Sequence, residues 1–200
     1  MPCVINHKDL SADQQVAILP IIKKFSKNVG PLLAECAMQD HATSYLHTIV
    51  IDELITIATN KNEDPLKRTL VFTNWPLNHI NDTLRAKSIK TILEILHDSS
   101  EEQGIKINII KHLSYWLDNY RYKDKESIDE TVKKMIDELA KLITPRTPEK
   151  ILKAVINGLF VNRHVMTSFD ATSKYLFSLW CRMYNDTKIP FHIRDMMKIA

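Results

Sequence analysis

The sequence predicts an all-α fold of roughly eight or nine helices. Apolar residues recur three and four positions apart along most of the chain, which is the pattern of a helix with one buried face. Only three glycines occur in 200 residues. The one Asn-Gly pair, Asn157-Gly158, lies inside a helical pattern rather than between two strands, which disfavours an all-β fold. The composition, 44% hydrophobic and 26% charged, is typical of a soluble globule.

The N-terminal segment, residues 1–40, is expected to be the less regular part of the chain. Ser11 begins Ser-Ala-Asp-Gln, a capping box that starts a helix, and Pro20 should kink or divide that helix. Gly30-Pro31 is a stop signal. Residues 43–60 form the next predicted helix, and because it is apolar on more than one side we expect it to be central.

Three more helix starts precede residue 121. Pro65, capped by Asp64, should begin a short helix that runs to about Trp75. Asn81-Asp82 opens a helix that ends at His97. A third helix starts near residue 104, and its predicted buried stripe is Ile105, Ile109, Leu113, Trp116 and Tyr120.

Four further helices are predicted in the C-terminal third. Ser127-Ile128-Asp129-Glu130 is interpreted as a capping box. The helix that follows is the most amphipathic of the chain, and its predicted buried residues are Ile128, Val132, Met135, Ile136, Leu139 and Ile143. The others start at Thr147, Thr167 and Pro190, and the last is expected to end at Ala200. In the Thr167 helix the predicted core residues are Phe169, Leu176, Leu179, Trp180 and Met183.

Helix starts therefore recur roughly every 17 to 23 residues, so that helix pairs recur about every 40 to 45. Short loops make neighbouring helices antiparallel. In this spacing, residues 43–200 resemble the α-solenoid class of HEAT and armadillo repeats. The resemblance implies antiparallel helices stacked as hairpins, and an irregular helical bundle is the alternative. In either case we expect residues 1–200 to form one domain.

Several function classes lack their motifs. No glycine-rich phosphate loop and no nucleophile elbow occurs. The three cysteines form no C-x-x-C pair, which indicates reduced thiols and an intracellular location, cytoplasmic or nuclear. No signal peptide or membrane-spanning run is present. Cys36, His41 and His47 supply three of the four ligands that zinc requires, without its paired spacing. We therefore predict no catalytic residue, no metal and no cofactor.

One enzyme class remains as an alternative. Ile95-Leu96-His97-Asp98, with His79 upstream, resembles the His-Asp helix end of the HD metal-dependent phosphohydrolases, which implies a divalent metal that activates water. Two features depart from that family: His79 lies close to the pair, and Ser-Ser-Glu-Glu follows it instead of a small apolar-Gly turn. The competing interpretation is that His97 complements the dipole at the helix C-terminus, and that Asp98 leads into the next cap.

Basic residues form local clusters, although the net charge is only +3. Arg85, Lys87 and Lys90 make one candidate cluster. The residues Tyr120, Arg121, Tyr122 and Lys123 make another, in which cations and aromatic rings alternate. Such a mixture suits phosphate neutralisation and base stacking, whereas interleaved acidic residues favour an ordinary solvated face.

Trp75 is the candidate interface anchor, because it is predicted at a helix end beside Pro76. Burial of its ring over the neighbouring hairpin is the alternative. The leading hypothesis is a non-enzymatic adaptor or scaffold that binds another protein. An RNA-associated helical domain is the first alternative, and an HD-like hydrolase is the second. The sequence predicts no membrane association and no particular oligomeric state.

Overall fold

The structure is a computed structural model that describes residues 44–121, 128–161 and 171–198, together with Ser11, Asp13, Gln14, Ala17 and Pro20. Within these residues the regular structure consists of eight α-helices and one short π-helix, and no strand is present. The predicted all-α class is therefore confirmed. Cys36 and His41 lie outside the described residues, as does most of the N-terminal segment.

The helices follow one another closely along the chain. Their bounds are α1 Ser44–Thr59, α2 Pro65–Thr73, α3 Asp82–His97, α4 Gln103–Arg121, α5 Glu130–Ala140, α6 Glu149–Ile156, the π-helix Asn157–Val161, α7 Ala171–Asn185 and α8 Phe191–Met196. The predicted starts near residues 43, 65, 81, 104, 147 and 190 agree with the observed ones to within two residues. The predicted start at Thr167 lies outside the described residues.

Side-chain caps explain several of these starts. The Asp64 carboxylate accepts the N–H of Leu66 at 2.8 Å, and the Asn81 side chain accepts the N–H of Leu84 at 2.9 Å. Both bonds satisfy backbone donors that have no partner inside the first helical turn. Ser11 and Gln14 form the predicted capping box, with reciprocal bonds of 2.8 and 3.3 Å.

The start of α5 differs from its prediction. Asp129, rather than Ser127, is the N-cap, and its carboxylate accepts the N–H groups of Thr131 and Val132 at 2.8 and 3.4 Å. The sequence offers two good caps two positions apart. With Asp129 as the N-cap, a charged carboxylate lies at the positive end of the helix dipole, where it accepts charge-assisted hydrogen bonds.

The chain divides into two compact units, Met1–Ile92 and Leu93–Ala200, and the division falls within α3. In the first unit α1 packs against α2. The buried residues of α1 are Leu46, Val50, Ile51, Leu54, Ile57 and Ala58, so this helix is apolar on more than one side, as predicted. Arg68 of α2 is buried, and its guanidinium donates two hydrogen bonds to the carbonyl of Ala58, at 3.1 and 2.9 Å.

In the second unit α4 packs against α6 and the π-helix, and α7 contacts the π-helix. The predicted stripe of α4 is confirmed for Ile105, Ile109, Leu113 and Trp116, which are buried. The predicted apolar face of the α5 segment is confirmed for five residues, which are buried, namely Val132, Met135, Ile136, Leu139 and Ile143. The sixth, Ile128, lies before α5 and is only half-buried. Among the described residues no helix is both long enough and apolar enough to cross a membrane.

Candidate protein-interaction surface

Trp75 does not project from the protein. It is 3% exposed, and its ring stacks on that of Phe72 with centroids 6.1 Å apart. After α2 the chain turns tightly, with the N–H of Leu77 bonded to the carbonyl of Trp75, and the turn places the indole against its own helix. The prediction of an exposed anchor at Trp75 is wrong, and the alternative of burial is confirmed.

The basic cluster on α3 consists of Arg85, Lys87 and Lys90. Two of its members, Arg85 and Lys87, contact other groups of the same compact unit. The Arg85 guanidinium donates to the carbonyls of Leu77 and Ile80, both at 2.9 Å, and pairs with Asp82 at 2.5 Å. The Lys87 ammonium lies 2.6 Å from the Asp52 carboxylate on α1. Lys90 is exposed. A phosphate would therefore compete with contacts that already hold α3 in place.

The other predicted cluster falls at the end of α4. The side chains of Tyr120 and Arg121 lie outside the described residues, and so do Tyr122 and Lys123 altogether. A role for these four residues in RNA binding stays a prediction.

The His-Asp pair at the end of α3 contacts protein groups. His97 Nε2 lies 3.2 Å from a carboxylate oxygen of Glu138 on α5. The Asp98 carboxylate accepts the backbone N–H and the hydroxyl of Ser100, at 2.9 and 2.7 Å. Among the described residues no group of three or more His, Cys, Asp or Glu side chains is arranged to hold a metal ion. His97 thus contacts another helix, and the bonds between Asp98 and Ser100 are typical of a turn after a helix end.

An open cleft of about 630 Å³ lies between α5 and α7. Its lining carries four cationic and three acidic side chains, namely Lys133, Lys134, Lys141, Arg182, Glu130, Asp137 and Glu138. Much of this charge is paired: the Lys141 ammonium donates to Glu138 at 2.7 Å, and this bond, the largest of several causes, lowers the pKa of Glu138. The cleft is nearly neutral as a whole and favours neither anions nor cations strongly.

The Tyr175 side chain reaches from α7 to α5 across this cleft. Its hydroxyl donates to the Asp137 carboxylate at 2.5 Å. Partial burial and this hydrogen bond raise the pKa of Tyr175 to about 12. The phenol is therefore neutral near pH 7 and serves as a hydrogen-bond donor rather than as a base or nucleophile.

The other flank of α7 carries a row of aromatic rings. Phe177, Trp180 and Tyr184 fall within an arc of about 60° at 100° per residue. The ring centroids of Phe177 and Trp180 are 6.1 Å apart, and those of Trp180 and Tyr184 are 5.0 Å apart, with the planes inclined by 18° and 16°. Phe177 is 49% exposed, and Trp180 and Tyr184 are half-buried. We call these three residues the aromatic row.

The chain at the end of α8 holds Trp180 of the row in place. The indole N–H of Trp180 donates to the carbonyl of Met197 at 2.9 Å, just after α8, so the C-terminal apolar segment folds back onto α7. The Lys198 ammonium lies 5.5 Å from the ring centre of Phe191. Phe191 is 68% exposed. The aromatic row and Phe191 together make up what we call the α7–α8 aromatic surface.

The aromatic row was not among the predicted interaction residues, because α7 has two apolar stripes with the same spacing. Leu176, Leu179 and Met183 form one, and the aromatic row forms the other, shifted by one residue. Leu176 and Leu179 are buried, whereas Trp180, which was assigned to the core, is only half-buried. The second stripe is the feature of the sequence that indicates this surface, because a helix that buries one face needs only one apolar stripe.

No protein-family model, no curated protein and no solved structure matches this chain.

Proposed function

We propose that this protein is a non-enzymatic interaction module, an adaptor or scaffold that binds another protein through the α7–α8 aromatic surface. The observation that carries the proposal is the concentration of partly exposed aromatic rings on one flank of α7 and on α8. Aromatic side chains are enriched at the centres of protein interfaces, where they contribute most of the binding energy.

The rings are also held in place before any partner arrives. Trp180 stacks on both of its neighbours in the row, and its N–H is bonded to the backbone after α8. Ordering of side chains is one of the costs of association, about 0.5 to 1.5 kcal/mol for each immobilised rotamer-rich side chain. A row that is already ordered avoids most of this cost, which favours a binding surface over a chance exposure of single rings.

The proposal includes the stacked-hairpin architecture of the HEAT and armadillo class, because such stacks present rigid surfaces to partners. It also places the protein in the cytoplasm or nucleus. Cys181 is a free thiol, and free thiols are typical of reducing compartments.

Site-specific photocrosslinking tests the proposal. A benzoylphenylalanine residue replaces Phe177 in the full chain, which is then expressed in the cells that make the protein. Tyr115, an aromatic residue on α4 that is 69% exposed, is replaced in the same way as the matched control. We expect irradiation to give a discrete adduct with another protein from position 177 and none from position 115. Absence of a protein adduct at 177, or the same adducts at both positions, would contradict the proposal.

A further inference from the structure

The residues around the α7–α8 aromatic surface carry an excess of positive charge. Between positions 171 and 198 there are five Lys and Arg residues and only two carboxylates. Lys198 pairs with Asp195 at 2.5 Å, and the Asp186 carboxylate accepts the backbone N–H of Lys188 at 2.8 Å. The backbone bond leaves the charge of Asp186 in place, and the segment as a whole retains an excess of three positive charges.

Two exposed lysines contribute to that excess. Lys174 lies one helical turn before Phe177, which makes the two residues surface neighbours, and Lys188 lies in the turn that joins α7 to α8. Among the described residues no carboxylate is within ion-pair distance of either ammonium group. An acidic partner would supply the charges that this surface lacks.

The geometry of the row disfavours single-stranded RNA. Base stacking needs a free ring face. Phe177 and Tyr184 precede and follow Trp180 by about one helical turn each, and both rings are stacked with the indole. The neighbouring rings therefore restrict the access of a base to the faces of Trp180, whereas apolar side chains can pack on the row without a free face.

A second copy of the chain is disfavoured by charge. In a symmetric dimer built on this surface the same patch would face itself. The unpaired lysines of both copies would then approach one another, and like charges in an interface oppose association.

We propose that the α7–α8 aromatic surface binds an acidic amphipathic helix of a partner protein. The apolar side chains of that helix pack on the row, and its carboxylates face Lys174 and Lys188. Side chains one turn apart on a helix are about 5 to 6 Å apart, close to the ring spacings of 5.0 and 6.1 Å. The row runs about 10 Å along α7, so two turns of the partner would cover it. This inference rests on the proposed function and specifies its partner.

The test uses the full chain and two designed peptides. The first is a fluorescein-labelled helical 16-mer with leucine on one face and glutamate on its flanks, and the second has lysine in place of every glutamate. Binding is measured by fluorescence anisotropy. We expect the glutamate peptide to bind at least ~10-fold more tightly than the lysine peptide, and its affinity to fall as salt screens the lysines.

Matched variants locate the binding site. Phe177→Ala should weaken binding of the glutamate peptide about tenfold, because it removes an exposed ring at the end of the row. Lys174→Glu should weaken it by a smaller factor, about threefold to tenfold. Tyr115→Ala and Lys150→Glu, which remove an exposed ring from α4 and reverse a charge on α6, should leave the affinity unchanged. Circular dichroism melting curves check that each variant is folded.

Several outcomes would overturn this inference. One is equal binding of both peptides, or equal loss in the variants and their controls. Another is binding of a 12-mer oligouridylate that Phe177→Ala abolishes while the glutamate peptide does not bind, which would favour RNA. The third is self-association, in sedimentation velocity, that Phe177→Ala removes. If the glutamate peptide fails and position 177 still crosslinks to a protein, only the acidic-helix inference falls. If position 177 gives no adduct, the proposed function falls as well.

Discussion

Tyr175 and Asp137 show how much a single contact decides at the scale of the residue. The two side chains are 38 positions apart, and their hydrogen bond joins α7 to α5. Burial disfavours the phenolate, and the Asp137 carboxylate disfavours it further, so the pKa of Tyr175 rises to about 12. Nothing near Tyr175 in the sequence indicates this, because the carboxylate comes from another helix.

The pH dependence of stability tests that contact. Because the pKa of Tyr175 is raised from 10.0 to about 12 on folding, the neutral phenol stabilises the folded state. Its contribution is fully present below pH 10 and is lost as the pH rises toward 12. We expect Tyr175→Phe to lower the free energy of unfolding by about 1 kcal/mol at pH 7. The difference from the parent protein should shrink between pH 10 and 12, as measured by urea denaturation.

Asp137→Asn is the companion variant. It removes the negative charge and replaces the carboxylate acceptor by a neutral, weaker amide oxygen, so the pKa of Tyr175 should move back toward its ordinary value, though not fully, because burial remains the largest cause of the shift. Spectrophotometric titration of the phenols would show the change. A titration identical to that of the parent protein would mean that the bond does not form in solution.

At the scale of the element, the junction between α6 and the π-helix determines how closely α4 can approach. Gly158 lies in the π-helix, and a Cβ atom built on it would overlap the Ser114 hydroxyl and lie 2.9 Å from Ser114 Cβ. The Ser114 hydroxyl is itself bonded to the carbonyl of Ile110 at 2.7 Å. The absence of a side chain at Gly158 is therefore a packing requirement, and the widened turn lies where α6 leads into this contact.

Substituting the two described helical glycines by alanine should have opposite effects. Gly158→Ala forces α4 away from the π-helix and should destabilise the protein by about 1 to 3 kcal/mol. Gly104→Ala, in the first turn of α4 with no atom within 4 Å of the new methyl group, should be neutral or stabilise by up to about 1 kcal/mol. Thermal denaturation would measure both. A Gly158→Ala protein as stable as its Gly104→Ala counterpart would show that the observed close approach is not maintained.

At the scale of the whole molecule, stability is a small difference between large opposing terms, about 5 to 15 kcal/mol for a typical domain. Because this margin is small, the burial of a few side chains in the second unit accounts for a large fraction of the stability. Val132, Met135, Ile136 and Leu139 of α5 are all fully buried, whereas the opposite face of α5 borders the open cleft. A charge introduced on the buried face of α5 should therefore destabilise the protein strongly, whereas a charge on the face that borders the cleft should change its stability little.

Ile136→Asp should place an unpaired charge in that core. We expect a loss of several kcal/mol, enough to remove most of the stability of the protein. Lys134→Asp, two positions away and exposed, should change stability by about 0.5 kcal/mol or less. Denaturant titration followed by circular dichroism would compare the two. Equal effects would mean that the helical phase of α5 is wrong.

Features that depend on a few consecutive residues could be predicted from the sequence. The all-α class, the starts of α1 to α4, α6 and α8, and the buried face of α5 follow from helical periodicity, caps and proline positions, which are local. The stacking of antiparallel hairpins and the HEAT-like period go beyond local rules and stay predictions.

Only the tertiary structure decided the burial of Trp75, the contacts of Arg85 and the buried face of α7. Each of them depends on contacts outside a short stretch of sequence or on a choice between two equivalent helix faces. The ring of Trp75 packs on Phe72, and the guanidinium of Arg85 donates hydrogen bonds to backbone carbonyls in the preceding turn. The sequence by itself left α7 with two equivalent apolar stripes. Packing buried the leucines and left the rings on the surface, because the core accepts only one face of a helix and the backbone after α8 bonds the indole of Trp180.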